Sequence, residues 1–284
     1  MQPRYIDPKT DYGFKLIFGH HDILLAFINT VLPKADAVKR LTYASTEVVG
    51  HGPAGRVVIY DLRCVTEDGR TIIVEVQRLP QPFFKERSLY YTMRSLDLQV
   101  SKGDPIYEIL PVYLIAVVDF DLPGDYTGYL HHFTLKNQHQ ESFSDVLQLY
   151  FLELNKFTMS DTTDVLDPLE QWTQAIRSMP ALDGIPDWVT DEDLRKAFTV
   201  AEVGKLTDAE RAKWERAFRE DRDLRGQVLQ QYIWGKTEGR EEGRRDVHRD
   251  LALKRKAAGD TPEQIAELLD VELGYVQELL KSPE

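Results

Sequence analysis

Two carboxylates and an amide interrupt an apolar stretch of this chain. Residues 60–77 read YDLRCVTEDGRTIIVEVQ, with Asp61, Glu75 and Gln77 inside runs that otherwise suit a β-hairpin around Asp68-Gly69. Their chemistry depends on register. A two-residue Asp68-Gly69 turn sets Leu62 opposite Glu75 and Tyr60 opposite Gln77, which mixes apolar and polar side chains on both faces. A three-residue turn, Glu67-Asp68-Gly69, with Gly69 in a left-handed bulge position, sorts them. One face then holds Val58, Tyr60, Leu62, Cys64, Ile72, Val74 and Val76 as a core surface. The other holds Ile59, Asp61, Arg63, Val65, Thr71, Ile73, Glu75 and Gln77. This second register is the one expected, and it sets Asp61 directly opposite Glu75.

Opposed side chains in such a pair start about 5 Å apart at Cβ. Two carboxylates that close repel each other, and one is driven toward its protonated form. A divalent cation between them removes the conflict, and oxygen ligands of this kind suit Mg²⁺, Mn²⁺ or Ca²⁺. The residues by themselves also admit a plainer reading. In it they form a solvent-facing sheet surface on which Arg63 neutralises one acid.

The elements that must position this hairpin are legible from pattern. The segment from Asp11 to Leu32 carries two short amphipathic helices, with Asp11 and Asp22 as candidate caps and Gly19 as the break. A strand is expected near Leu41–Val49 and a loop over His51–Gly55. After the hairpin, Phe83–Lys102 places Phe84, Arg87, Tyr91, Arg94 and Leu98 at helical spacing. Ile109–Phe120 is β-branched and aromatic, so it reads as a central strand, followed by strands over Tyr129–Leu135 and Val146–Phe157. A helix between two strands implies a crossover onto a mixed sheet, hence the α/β class.

From about Pro168 the patterns become helical, over Leu169–Met179, Glu192–Val203 and Thr207–Trp234. Thr207-Asp208-Ala209-Glu210 has the form of a capping box. Lys236–Asp250 is highly charged, and two short helices, Pro262–Leu269 and Leu273–Leu280, follow it. The expected division is residues 1–165 as the core, 166–235 as a helical extension, and 236–284 as a charged linker with a C-terminal helix pair.

The 284 residues, with 42% hydrophobic and 29% charged, support a buried core of ordinary globular kind. A single cysteine, Cys64, excludes an internal disulfide framework and fits a reducing cytoplasm. The first residues lack a signal-peptide layout, and the apolar run Ile109–Val118 is too short to span a membrane. Net charge is −12, but residues 1–110 carry 14 Lys and Arg against 13 Asp and Glu, so the acid lies in the second part. A polyanion therefore meets no general repulsion from the first part. Neither His20-His21 nor His131-His132 has a partner at zinc spacing, and no glycine-rich phosphate loop or nucleophile elbow occurs. The tail 259–280 is laid out like a helix-turn-helix. Its second helix has Glu272 and Glu278 and no arginine, so a packing or self-association role is favoured over DNA reading.

Asp61 followed by Glu75-Val76-Gln77 resembles the Asp…Glu-x-Lys signature of the PD-(D/E)XK nucleases, with Gln77 in the place of the lysine. The ordered stretches TDYGFKLIFG (10–19), DILLAFINTVL (22–32), the hairpin, residues 87–120 and YFLELNKF (150–157) resemble the Rpn-type recombination-promoting nucleases and transposase-like proteins of that superfamily. So does the acidic helical second half with its Glu-Gly repeats at Glu238–Gly243. The resemblance implies a restriction-endonuclease-like mixed β-sheet core flanked by helices, and metal-dependent hydrolysis of DNA. Asp61, Glu75 and the Val76 carbonyl would hold Mg²⁺, with Mn²⁺ as a substitute, and Gln77 would orient the attacking water. Glu47 and Asp11 stand at further acidic positions. Glutamine cannot supply positive charge, so Lys85 or Arg87 is expected to compensate. A homodimer is expected, so that both strands can be cut, and the resemblance implies a setting in mobile DNA, recombination or phage defence. The alternative is a catalytically inactive relative that keeps the fold as a DNA-binding or protein-interaction module. A true transposase would need strand transfer besides cutting.

Overall fold

The computed structural model describes residues 3–48, 57–100, 103, 105–159 and 166–281. The expected loop over His51–Gly55 lies outside them, as do the expected strand end at Val49 and helix end at Lys102. The chain divides into two units, Met1–Glu215 and Arg216–Glu284.

The first unit opens with α1 (Asp11–Phe18) and α2 (His21–Val31). Thr10, not Asp11, caps α1: its hydroxyl accepts from the Gly13 N–H at 3.1 Å. That frees the Asp11 carboxylate to turn outward to Lys15 one turn on. Likewise His20 occupies the cap position of α2, and Asp22 sits in its first turn.

A six-stranded sheet follows, built from β1 (Leu41–Tyr43), β4 (Leu62–Thr66), β5 (Thr71–Gln77), β6 (Val112–Val118), β7 (Leu130–Lys136) and β8 (Ser142–Glu153). Its order is β1-β4-β5-β6-β8-β7, with β2 (Glu47–Val48) and β3 (Val58–Ile59) forming a separate antiparallel pair. The β4–β5 ladder has the register expected from face sorting: Leu62 opposes Val74, Arg63 opposes Ile73 and Cys64 opposes Ile72. Gly69 adopts φ +84° in the turn, where a side chain would strain the backbone and meet Leu110. The crossover helix α3 (Phe84–Asp97) carries the chain to β6, which lies parallel to both β5 and β8. The sheet is therefore mixed and the fold class is α/β, as the pattern predicts.

Two cores follow from the two faces. Ile72, Val74, Ile115, Val117 and Tyr150 pack on the side of α1, α2, α4 (Pro168–Ser178) and α5 (Glu192–Ala201). Trp172 of α4 is buried there, with its ring 6.0 Å from that of Phe18 and 5.6 Å from that of Phe27. On the other side Ile73, Val112, Leu114, Ala116 and Val118 pack with Phe84 at the start of α3. Residues of β6 alternate between the two, which is why all seven are buried.

The hairpin departs from expectation at one end. The ladder stops at Leu62, and Asp61 forms a bend rather than a strand residue. The preceding strand β3 pairs with β2 and not with β5. Consequently Val58 and Tyr60 do not join Leu62 and Cys64; they pack in the α3-side core. The Tyr60 hydroxyl donates to the Tyr91 carbonyl at 3.0 Å and lies 3.1 Å from Ser95 Oγ, which ties the bend to α3.

The histidines serve the framework. His131 bonds the fully buried Glu153 at 2.6 Å, and Glu153 also receives the Lys156 amine and the Leu122 N–H. His132 bonds Gln148 at 2.6 Å and stacks on Tyr150, and His21 bonds the Leu41 carbonyl at 2.8 Å.

Helix α6 (Asp208–Ala257) begins in the first unit with the expected Thr207–Glu210 capping box. It runs through Lys236–Asp250, the stretch expected as a charged linker. Its glycines cost about 1 kcal/mol each in a helix, too little to end one this long. In the second unit α7 (Pro262–Leu269) and α8 (Leu273–Leu279) close on α6 through Ala252, Ile265, Ala266 and Val276, the packing role expected of the tail.

Replacing Trp172 by alanine should destabilise the first unit by about 3–5 kcal/mol, read as a lower urea midpoint in far-ultraviolet circular dichroism. A change under about 1 kcal/mol would mean that the site collapses to fill the space.

Candidate active site

The break at Asp61 builds the site. Because β4 ends at Leu62, the next main-chain donor on β5 has no strand to meet, and the Asp61 carboxylate takes that place. It accepts from the Val76 N–H at 2.8 Å. In return the Asp61 N–H donates to Glu75 Oε1 at 3.3 Å. Glu75 is thus held by the main chain of Asp61, and Asp61 by that of Val76, rather than the two being set as a ladder pair. Both are partly buried, on the face of β5 that looks toward α3.

The electrostatics reflect this crowding. Burial pushes the Glu75 carboxyl up to about 8, and the neighbouring Asp61 charge adds to the shift. Burial also raises Asp61, against the lowering effect of the Val76 N–H. The Asp11 carboxylate raises Asp61 further, while Lys15 and Arg87 lower both acids.

Gln77 is held at both ends. Its Oε1 accepts from Arg87 Nη2 at 2.9 Å and its Nε2 donates to the Leu79 carbonyl at 3.2 Å. One lone pair and one N–H remain for another partner. Arg87 also reaches Gln81 and lies over the rings of Phe84 and Tyr91 at 5.3 and 5.7 Å. Its charge is therefore fixed beside the carboxylates.

Of the residues singled out in the sequence, Asp61, Glu75, Gln77 and Arg87 are brought together, with Asp11 near enough to act on Asp61. Lys85 is not: its amine donates to the Pro123 carbonyl at 2.8 Å and lies over Tyr126. Glu47 is exposed on β2, opposite Ile59. Sequence reasoning passed over Lys15. It stands one turn after Asp11, with its amine 2.5 Å from that carboxylate, and it acts on Asp61 and Glu75 together. The signal for it was the i,i+4 spacing in a helix already expected.

The donor set suits a hard divalent cation. Two carboxylates are adjacent, and burial raises both toward their protonated forms, a shift that a bound cation would oppose. The N–H and C=O of one strand residue point to the same edge, so the Val76 carbonyl faces the side on which Asp61 stands. Among the described residues, no three His, Cys, Asp or Glu converge as a ligand cluster. An ion held by two acids and one carbonyl would keep several waters, as Mg²⁺ commonly does.

The family model for the PD-(D/E)XK nuclease family transposases matches residues 8–230 of the chain. No curated protein and no solved structure matches it.

In metal-free buffer the folded state holds a proton on Glu75 that the unfolded state loses near its ordinary value. Its contribution to stability is complete below about 4.5 and is lost as pH rises through about 8. Glu75→Gln should therefore melt above the parent protein near pH 9, with the gain shrinking toward pH 5. Thermal melts across that range check it, and a gain independent of pH would contradict the assigned cause.

Proposed function

Since the chain belongs to the PD-(D/E)XK nuclease family transposases, we propose that it is a metal-dependent endonuclease that hydrolyses DNA phosphodiester bonds. The observation that carries this reading is the clamped pair Asp61–Glu75, with Arg87 and Lys15 supplying positive charge around it. Asp61, Glu75 and the Val76 carbonyl would hold Mg²⁺, or Mn²⁺ in its place. When bound, the ion supplies charge neutralisation for the phosphate and lowers the pKa of a coordinated water.

The chain's own residues do the rest. Arg87, pinned by Gln77, offers a guanidinium to a phosphate oxygen, the role that bidentate arginine fills best. Gln77 orients a water with its remaining lone pair and N–H, while holding Arg87 in place. Lys15 brings to the same site the positive charge that a glutamine at position 77 lacks. Asp11 both tethers that amine and adds negative charge near Asp61.

The reading sets the activity in the cytoplasm, in mobile-DNA, recombination or phage-defence settings, by analogy with the family. Two copies acting together would allow both strands to be cut. No helix among the described residues is long and apolar enough to cross a membrane. A second reading, a non-catalytic DNA-binding or protein-interaction module on the same fold, draws on Gln77 and on the fact that, among the described residues, no third acid converges on the pair. Strand transfer ranks below both.

Purified protein with Mg²⁺ should nick or cut plasmid, and EDTA should stop it. Asp61→Ala and Glu75→Ala should each lower the rate by at least about a hundredfold. Full cutting by both variants would remove the site from this reaction. Mg²⁺ or Mn²⁺ should also raise the melting temperature of the parent protein and not that of Asp61→Asn. Absence of both metal binding and cleavage would favour the non-catalytic reading.

A further inference from the structure

The start of α3 carries a feature that the cleavage centre does not use. Phe83 sits at the cap position of α3 with φ +58° and ψ +30°, a left-handed conformation that glycine or asparagine takes more readily. Its side chain is not buried in compensation: it is 77% exposed. Strain of this kind, kept for an aromatic side chain that faces solvent, marks a functional constraint rather than a packing one. About two turns along, Tyr90 is also exposed. Between them lies a recess of about 480 Å³ lined by Val57, Pro82, Phe83, Arg87, Tyr90 and Tyr91, with Glu86 on its wall.

Arg87 makes this recess continuous with the acids. It lines the recess and donates to Gln77, two residues beyond Glu75. Tyr91, on the recess wall, feels the charges of both Glu75 and Asp61. A phosphate drawn to Arg87 therefore has aromatic rings on one side and the acid pair on the other. Exposed aromatics beside a fixed cation are what a single nucleic-acid strand needs: rings stack on bases of any sequence, and arginine takes the backbone. The Glu86 carboxylate repels a phosphate and accepts from a base amino group, so the base lies toward Phe83 and the phosphate toward Arg87. A base inside an intact duplex stack cannot reach such a platform.

We propose that Phe83 and Tyr90 form a stacking platform for an unpaired base next to the scissile phosphate, so that the protein acts on single-stranded or locally unpaired DNA. This rests on the reading of Asp61 and Glu75 as a DNA-cleaving pair, and deepens it by naming the substrate class.

The test is binding in EDTA, where no cutting occurs. Fluorescence anisotropy would compare a labelled deoxycytidine oligonucleotide, whose bases carry an amino group, with a duplex of equal length, using the full chain. The single strand should bind more tightly than the duplex. Phe83→Ala and Tyr90→Ala should each weaken single-strand binding by roughly tenfold and leave duplex binding unchanged. Phe83→Gly separates folding from recognition: it relieves the left-handed strain and should raise the melting temperature, yet lose single-strand affinity as the alanine variant does. Phe83→Trp should keep it. Single-strand binding unchanged in both Phe83→Gly and Tyr90→Ala would overturn the proposal. So would a concentration-dependent dimer that those variants abolish without any change in DNA affinity, which would make the recess a contact between copies. If the binding differences appear but Mg²⁺-dependent cutting does not, the cleavage reading fails and the platform stands.

Discussion

The site depends on an unfilled place in a β-ladder. Strand β5 runs to Gln77, but its partner β4 ends at Leu62, opposite Val74. A buried main-chain donor without a partner costs about 1–3 kcal/mol, so the Val76 N–H needs an acceptor. Asp61 provides one only because the chain bends there and turns its carboxylate into the gap. The same bend brings Asp61 against Glu75; burial raises both carboxyls toward their protonated forms, and for Glu75 the Asp61 charge adds to it. Ladder termination, bond satisfaction and a charge-deficient acid pair are one arrangement.

Helix α3 closes it. Tyr60, immediately before the bend, is fully buried, and its hydroxyl bonds Tyr91 and Ser95. Arg87, one turn before Tyr91, reaches Gln77. A single helix therefore fixes the backbone that precedes Asp61 and the side chain that follows Glu75. It needs no catalytic carboxylate of its own. On the opposite face, α1 contributes Lys15 and Asp11, which reach the acids as charges while Phe14, Ile17 and Phe18 anchor the helix in the other core. Positive charge thus arrives from both flanking layers, which offsets what glutamine at position 77 cannot provide.

Element types and most boundaries were readable from pattern because they rest on local rules. Face sorting across the turn marked β5, and a continuous β-branched and aromatic run marked β6. Apolar spacing marked α3, α7 and α8 to within a few residues at their ends, and Thr207 with Glu210 marked a cap that the structure contains. Lys236–Asp250 was less legible: Gly239 and Gly243 suggest a break, but a long helix absorbs their modest cost. Lys85 and Arg87 were indistinguishable as candidates in sequence, since each lies early in the same helix. Their separation of two residues points them to different sides, Lys85 to Pro123 and Arg87 to Gln77.

The sequence by itself determined the register of the hairpin and the identity of the acids. Side-chain alternation leaves only one pairing that keeps Leu62, Cys64, Ile72 and Val74 on a common face, and Gly69 is the residue that a left-handed turn position favours. Tertiary structure decided where that ladder stops. Nothing local to Tyr60 and Asp61 says that β3 will leave β5 for β2, because the choice is made by a distant strand and by the hydrogen-bonding partners that α3 offers to Tyr60. The positions of Lys15 and Arg87 around the acids were decided in the same way. Charge acts through space, and the chain brings those residues together only once both helical layers have packed on the sheet.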